Sequence, residues 1–201
     1  VKSLEQIPFL PIQFFKSHNV VSNTNAIEET FTSSGTTGTI TSKHLVTDAS
    51  IYEESYRKGF SQFYGNIENY VVLALLPSYL EREGSSLIYM VEDLIRLSNH
   101  SESGFYLHNH DELIKKLIEL DQAGQNVILI GVTYALLDLI EKQQFQLQNT
   151  IIMETGGMKG KRKEMIREEL HQQLCEGFGV SVIHSEYGMT ELLSQAYSLG
   201  E

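Results

Sequence analysis

The sequence is poor in cysteine, in basic residues and in long apolar runs, and each shortage excludes a class of protein. Cys175 is the single cysteine among 201 residues, so no disulfide can form within the chain. The 15 lysine and arginine residues are outnumbered by 26 aspartate and glutamate residues, and the net charge of −11 argues against a nucleic-acid binder, which normally presents a basic face. No apolar run reaches the roughly 18–20 residues needed to span a bilayer. We therefore expect a cytoplasmic protein with no nucleic-acid partner and no membrane span.

Proline is scarce too, and its placement sets the first segment apart. Two of the 3 prolines fall in IPFLPIQFFK, residues 7–16, and proline disfavours both a helix interior and a central strand. The pattern predicts an extended, packed entry segment. The chain begins with Val1 and carries no recognisable end signal at Glu201, so we expect an internal part of a longer protein.

What the sequence does contain is a regular alternation of strand and helix patterns. Apolar runs bounded by Gly, Pro or Asn predict strands buried on both faces, at residues 70–77, 126–131, 150–157 and 180–184. Apolar residues at helical spacing predict helices around them, at residues 51–64, 87–95, 113–118 and 160–177. This order predicts an α/β fold with a layered, mostly parallel sheet flanked by helices.

One polar segment cannot contribute to a core. It is TFTSSGTTGT, residues 30–39, which places hydroxyl groups around two glycines. Glycine lets a ligand approach the backbone closely, and hydroxyl groups can donate to phosphate oxygens. The segment therefore predicts either a phosphate-binding loop or a flexible surface turn. It is not the P-loop of nucleoside triphosphatases, which needs four residues between its glycines and then a lysine.

Two further polar segments follow predicted strands. They are ETGGMKGKRK, residues 154–163, and SEYGMTELLS, residues 185–194. In an open α/β sheet, ligands bind beyond the carboxyl ends of the strands. Both segments are therefore expected to face one crevice, which the hydroxyl-bearing loop would close. The basic residues of the first segment either contact a phosphate or a partner, or form a solvated face.

Two of these motifs together resemble the adenylate-forming superfamily of acyl-CoA synthetases, luciferases and peptide-synthetase adenylation domains. They are SSGTTG at residues 33–38, here named the hydroxyl-glycine loop, and YGMTE at residues 187–191. Three longer stretches resemble more closely the acyl-protein synthetase of the bacterial bioluminescence fatty-acid reductase system: IPFLPIQFFK, LLPSYLEREGSSLIYM and ETGGMKGKRKEM. The resemblance extends over nearly the whole chain.

The resemblance implies an activity, cofactors and partners. ATP and Mg²⁺ would serve to activate a carboxylic acid, here a fatty acid, as an acyl-adenylate. The acyl group would then pass to a thiol on a protein or carrier, with a reductase as a further partner. Residues 1–201 would form the central nucleotide-binding core of an adenylation domain, with an N-terminal part and a C-terminal lid subdomain outside them. The alternatives are a non-catalytic nucleotide-binding module and an interaction domain whose loop is a mere turn.

By this resemblance the hydroxyl-glycine loop holds the β- and γ-phosphates of ATP, and Thr37 is a catalytic donor. The loop consists of Ser33, Ser34, Gly35, Thr36, Thr37 and Gly38. Lys43 would supply positive charge nearby. The family usually has Gly-x-Pro-Lys after the loop, whereas GTITSK here lacks the proline and displaces the lysine by two residues.

The second motif implies the remaining nucleotide contacts. Tyr187 would pack against adenine beside Gly188. Thr190 would hydrogen-bond the α-phosphate as a catalytic residue, and Glu191 would be both a catalytic residue and the Mg²⁺ ligand. The alternatives are an ordinary half-buried tyrosine at position 187 and a solvated carboxylate in the first turn of a helix at position 191.

Three other places match family positions around the adenine and the acid. The backbone of Gly156 and Gly157 would lie along the adenine. Tyr79 would stand beside the acyl carboxylate. Gly131 and Thr133, at a predicted strand-to-helix junction, would line the acid pocket, with plain helix packing as the alternative for that segment. The single cysteine is expected to pack in apolar surroundings rather than to carry an acyl group.

Overall fold

The computed structural model describes residues 2–33, 41–77, 83–107, 109–158 and 160–200. Within these residues a six-stranded sheet forms the centre of the fold, and a two-stranded hairpin stands apart from it. The strands are β1 (Glu29–Thr32), β2 (Lys43–Val46), β3 (Val71–Leu75), β4 (Gly104–Phe105), β5 (Val127–Val132), β6 (Thr150–Thr155), β7 (His184–Met189) and β8 (Ser194–Ser198). The helices are α1 (Phe14–Ser17), α2 (Ala49–Tyr64), α3 (Ser86–Ser98), α4 (His110–Gln122), α5 (Thr133–Lys142) and α6 (Arg167–Phe178).

The sheet is mostly parallel, as the sequence predicts. Its order is β4-β3-β5-β6-β7-β8, and only the β7–β8 pair is antiparallel. Strands β3 and β5 are buried along their whole length, because helices cover both faces of a parallel sheet. The three predicted strands at residues 70–77, 126–131 and 150–157 are confirmed. The separate hairpin pairs β1 with β2 in antiparallel register.

Helix α2 shows how the sequence sets the ends and the inner face of an element. The side chain of Asp48 accepts a hydrogen bond from the backbone N–H of Ser50 at 3.1 Å and caps the first turn. Its aromatic side chains at positions 52, 56, 60 and 64 are buried. The buried face is narrower than the apolar pattern of residues 51–64, because Ile51 is 67% exposed and Phe63 is 40% exposed.

The fourth predicted strand and the last predicted helix were misplaced. Strand β7 begins at His184, so that residues 180–183 precede the strand and the YGM of the second motif lies within it. The helix expected from residue 160 begins at Arg167. The entry segment also departs from the prediction that it is packed: Phe15 is buried, but Phe9 is 88% exposed and Leu4 is 78% exposed. Among the described helices, none is long and apolar enough to cross a membrane.

Candidate active site

A cleft with a volume of about 180 Å³ opens at the carboxyl ends of β6 and β7. Thr32, the last residue of β1, forms one wall, and Ser85 and Ser86 at the start of α3 form another. Thr155 ends β6 on the opposite side. The cleft therefore lies where an open α/β sheet normally binds a ligand.

Four of the residues that the sequence singled out line this cleft. They are Gly156, Tyr187, Gly188 and Thr190. Thr32 immediately precedes the hydroxyl-glycine loop, so the base of that loop and the YGMTE motif border the same space. The backbone N–H of Ser42 donates to the hydroxyl of Ser33 at 2.9 Å, and the N–H of Ser33 donates to the carbonyl of Ser42 at 3.0 Å. These two bonds tie Ser33, the first residue of the loop, to Ser42, which directly precedes β2.

Other predicted site residues lie outside the described part of the chain, and their roles stay predictions. They are Ser34, Gly35, Thr36, Thr37, Gly38 and Tyr79. Among the described residues, Lys43 is exposed and lines a different hollow, next to Phe15 and Asn19. It stands opposite Thr32 in the β1–β2 register, yet it is not among the residues that line the cleft.

Glu191 lies in the turn that connects β7 with β8. It is partly buried and adjoins Thr190, but it is not itself among the described residues that line the cleft. The alternative that it stands in the first turn of a helix is wrong, since the four residues 190–193 form the turn of an antiparallel hairpin. The hairpin therefore presents the end of the motif on a short turn above the sheet.

The turn is tied to two neighbouring elements. The Nδ1–H of His44 on β2 donates to the carbonyl oxygen of Thr190 at 3.0 Å. The hydroxyl groups of Ser86 and Thr190 lie 3.3 Å apart. Both contacts hold the Thr190 hydroxyl close to the start of α3, on the wall of the cleft.

Two predicted acid-binding residues, Gly131 and Thr133, are not among the described residues that line the cleft. A Cβ atom at Gly131 would lie 2.5 Å from the Cδ2 atom of Leu136, so the space beside this glycine is filled by a core side chain. Thr133 is buried, and its hydroxyl donates to the carboxylate of Glu154 at 3.1 Å. The same carboxylate accepts a hydrogen bond from the hydroxyl of Ser185 at 2.7 Å. This geometry describes a packed junction between β5, β6 and β7.

Gly157 has a backbone φ of +67°, and no atom lies within 4 Å of the position that its Cβ would take. Gly156, one residue earlier, has a φ of +77° and lines the cleft. Consecutive left-handed residues are strained for anything but glycine, so these two allow the chain to turn sharply after β6. The backbone beside the cleft is thereby left uncovered by side chains.

Glu186 is a functional candidate that the sequence reasoning missed. It lines the cleft and is 5% exposed. Its Oε2 atom accepts a hydrogen bond from the hydroxyl of Thr155, and its Oε1 atom accepts one from the Nε2 of Gln195 at 2.5 Å. Burial raises the pKa of this carboxyl above its usual range, and the nearby charge of Glu154 raises it further. The only signal in the sequence was a charged residue within the otherwise uncharged run SEYGM.

The cleft offers hydroxyl groups and a helix end rather than cationic side chains. Among the described residues that line it there is no lysine or arginine, and two carry carboxyl groups, Glu83 and Glu186. The side chain of Ser85 caps α3 by accepting a hydrogen bond from the N–H of Ile88 at 3.3 Å. A helix N-terminus has a positive electrostatic potential and favours an anionic group. The hydroxyl of Tyr52 donates to the carbonyl of Ser86 at 3.1 Å, and burial raises its pKa.

Two features set apart in the sequence have structural roles in the described chain. Arg162 of the basic segment forms ion pairs with Asp138 and Glu141 of α5. Its charge therefore stabilises the contact between that segment and the helix. Cys175 is free and packs against the core, and burial raises the pKa of its thiol. Its packing against the core is as predicted, and a raised pKa leaves less of the thiol as thiolate at neutral pH.

The fold is similar to that of a solved ligase. The O-succinylbenzoate coenzyme A synthetase (MenE) of Bacillus subtilis, solved in complex with ATP and magnesium ion, superposes with a TM-score of 0.53 and 18% sequence identity. The similarity covers 87% of this chain and 33% of the synthetase, so the chain spans about a third of that enzyme's length. No family model and no curated protein matches the sequence. The likeness confirms the predicted architecture, a mostly parallel sheet flanked by helices.

Proposed function

We propose that the cleft binds a magnesium nucleotide, and that the protein uses ATP to activate a carboxylic acid as an acyl-adenylate and then transfers the acyl group to a thiol. One observation carries this proposal. Thr32 at the base of the hydroxyl-glycine loop and three residues of the second motif, Tyr187, Gly188 and Thr190, line a single cleft at the carboxyl ends of parallel strands. The ATP and magnesium ion in the solved synthetase give further support.

The reaction brings two anions together. A carboxylate oxygen attacks the α-phosphorus of ATP, a new P–O bond forms, the bond to the β-phosphate oxygen breaks, and pyrophosphate leaves. At 4 Å the repulsion between one carboxylate and one phosphate charge is about 4 kcal/mol at an effective dielectric near 20. Fixed donors must offset this repulsion. In the cleft, the hydroxyl groups of Ser85 and Thr190 and the N-terminus of α3 can do so.

The donor set fits a magnesium nucleotide better than a metal bound by the protein alone. No group of three or more His, Cys, Asp or Glu side chains that could hold a metal ion occurs in the described parts of the chain. Mg²⁺ takes oxygen ligands and commonly one or two carboxylates, with phosphates and waters for the rest. We propose Glu191, beside Thr190, as that carboxylate. Bound Mg²⁺ would neutralise part of the phosphate charge.

The remaining contacts to the nucleotide would come from side chains of this protein. Tyr187 is 64% exposed, which leaves its ring free to stack on adenine. The Thr190 hydroxyl is held on the cleft wall to donate to the α-phosphate. The hydroxyl-glycine loop would hold the β- and γ-phosphates with Thr37 as a donor, and Lys43 would contribute only through movement from its hollow. In the second step a thiolate attacks the acyl carbon and a C–S bond forms. The bond from this carbon to the oxygen on the α-phosphorus breaks, and AMP leaves with that oxygen.

Pyrophosphate exchange by the full-length protein, across a panel of carboxylic acids, tests the first step. Acid-dependent exchange is the expected result. The variant Glu191→Ala should lower the exchange rate by about 10²–10³-fold with the fold retained, the loss typical of one key electrostatic group. Glu92→Ala, which removes an exposed carboxylate from α3, is the matched control. A Glu191→Ala variant with the wild-type rate would remove this residue from the mechanism.

A non-catalytic nucleotide-binding module is the second candidate. It is favoured by one observation: the described residues that line the cleft include no lysine or arginine, and Lys43 lies at another hollow. Calorimetric titration separates the two candidates, because an adenylation site should bind both ATP–Mg²⁺ and AMP. Binding of nucleotide without exchange on any acid would favour the module.

A further inference from the structure

The deep wall of the cleft carries a carboxyl group that nucleotide binding does not use. Glu186 precedes Tyr187 on β7, and successive side chains of a strand point to opposite faces. Accordingly Glu186 is 5% exposed, whereas Tyr187 is 64% exposed. A nucleotide stacked on the exposed Tyr187 ring therefore lies away from the Glu186 carboxyl, which belongs to the buried wall of the same cleft. The Glu186 side of the cleft is left for the acid.

The carboxyl group has hydrogen-bonding capacity to spare. An ionised carboxylate has about four lone-pair sites. Thr155 occupies a site on Oε2, and Gln195 occupies one on Oε1. Leaving a buried acceptor unmatched is costly, so a ligand group that donates to Glu186 gains more there than it would in water.

The other polar groups of the wall do not supply that donor. The Tyr52 hydroxyl is engaged with the carbonyl of Ser86. The described lining residues contain no lysine, arginine or histidine, and the carboxylate at Glu83 is exposed at the rim. The two ionisable carboxyl groups among the described lining residues, those of Glu83 and Glu186, therefore face no cationic side chain in the wall. An unsubstituted alkyl chain would cover the carboxyl group of Glu186 without adding a hydrogen bond to those from Thr155 and Gln195.

We infer that Glu186 selects carboxylic acids whose chain carries a hydroxyl or amino group and disfavours unsubstituted alkyl acids. This inference rests on the proposed function and names the acid class of the same cleft. Thr155 and Gln195 act as positioning residues, since each holds one oxygen of the carboxyl group. Hydroxy acids and amino acids both carry a hydrogen-bond donor on the chain, and this donor would bond to the Glu186 carboxylate.

The test compares hexanoate with its α-hydroxy, ω-hydroxy, α-amino and ω-amino derivatives in the full-length protein. Two quantities are measured for each acid: kcat/KM in pyrophosphate exchange, and the Kd by calorimetry. The donor-bearing acids should exceed hexanoate by about 10- to 100-fold in kcat/KM, the range of a hydrogen bond to a charged group. Glu186→Gln should bring this ratio close to one and leave the KM for ATP unchanged. Glu92→Gln, an equal charge change at an exposed site on α3, should keep the ratio.

Each outcome decides something. Exchange with hexanoate at least as good as with every derivative overturns the inference and leaves the proposed function standing. The same holds if Glu186→Gln raises the KM for ATP and leaves the acid ratio intact. Donor-dependent binding that Glu186→Gln abolishes, without exchange on any acid, supports the inference and overturns the proposed activity. If the protein shows neither binding nor exchange with any acid, both the inference and the proposed function are overturned. The wild-type ratios do not depend on a variant, so they remain decisive if Glu186→Gln fails to fold.

Discussion

The Nδ1–H of His44 donates to the carbonyl oxygen of Thr190 at 3.0 Å, although the two residues are 146 positions apart in the chain. A carbonyl oxygen can only accept, so this contact fixes the proton on Nδ1. His44 lies on β2, just after the hydroxyl-glycine loop, and Thr190 lies in the turn that follows β7. This hydrogen bond therefore joins the β1–β2 hairpin to the turn that carries Thr190.

Replacing His44 should loosen the turn at residues 190–193. We expect His44→Ala to lower kcat in pyrophosphate exchange by about 10-fold, the effect of losing one hydrogen bond of about 1.4 kcal/mol, with a small effect on the KM for the acid. His44→Asn should recover part of the loss, because its amide can donate. His100→Ala is the control, since the Nε2 of His100 donates to the carbonyl of Glu68 at 2.9 Å, away from the cleft. Equal losses in both alanine variants would deny His44 a positioning role.

Asp121 should be a stability determinant with no part in the chemistry. It is 5% exposed, and its carboxylate accepts hydrogen bonds from the N–H of Asn149 at 2.8 Å and the hydroxyl of Thr150 at 2.8 Å. Asp121→Ala leaves these buried donors unpaired at the start of β6. We expect the free energy of unfolding to fall by about 3 kcal/mol, measured by urea denaturation. Asp111→Ala on the exposed side of the same helix should cost far less.

A third variant separates packing from substrate contact at the β5–α5 junction. An alanine at position 131 would place its Cβ 2.5 Å from the Cδ2 atom of Leu136, which is fully buried. We expect Gly131→Ala to lower the free energy of unfolding by about 1–3 kcal/mol, as overpacked cores do. The KM for the acid should be unchanged. Gly104→Ala is the control, because no atom lies within 4 Å of its added Cβ. A raised KM at full stability would restore the acid-pocket role.

Whether the sequence predicts an element depends on how far apart in the chain its interacting residues lie. Strands β3 and β5 are buried on both faces, so every residue is apolar and the run itself predicts the strand. Strand β7 carries no such pattern, because one of its buried polar residues, Glu186, is hydrogen-bonded to Thr155 and Gln195, 31 and 9 positions away. The sheet register is likewise non-local. It sets Lys43 opposite Thr32, a relationship that no local motif encodes.

The stability of the protein should depend on pH through Glu186. Burial, and then the charge of Glu154, raise its pKa above the ordinary value of 4.5, although the bonds from Thr155 and Gln195 act in the opposite direction. The folded state therefore binds this proton more tightly than the unfolded state. The resulting stability is fully present below the unfolded-state pKa and is lost as the pH rises through the folded-state pKa.

Glu186→Gln cannot ionise, so its free energy of unfolding should rise relative to the wild type as the pH increases. Each tenfold difference in proton affinity between the folded and unfolded states contributes about 1.4 kcal/mol. Urea denaturation of both proteins between about pH 5 and pH 8 measures the difference, and other titrating groups cancel in it. Glu92→Gln should run parallel to the wild type over the same range. A difference that stays flat, or that moves in favour of the wild type as the pH rises, would mean that Thr155 and Gln195 stabilise the ionised carboxylate by more than its burial costs.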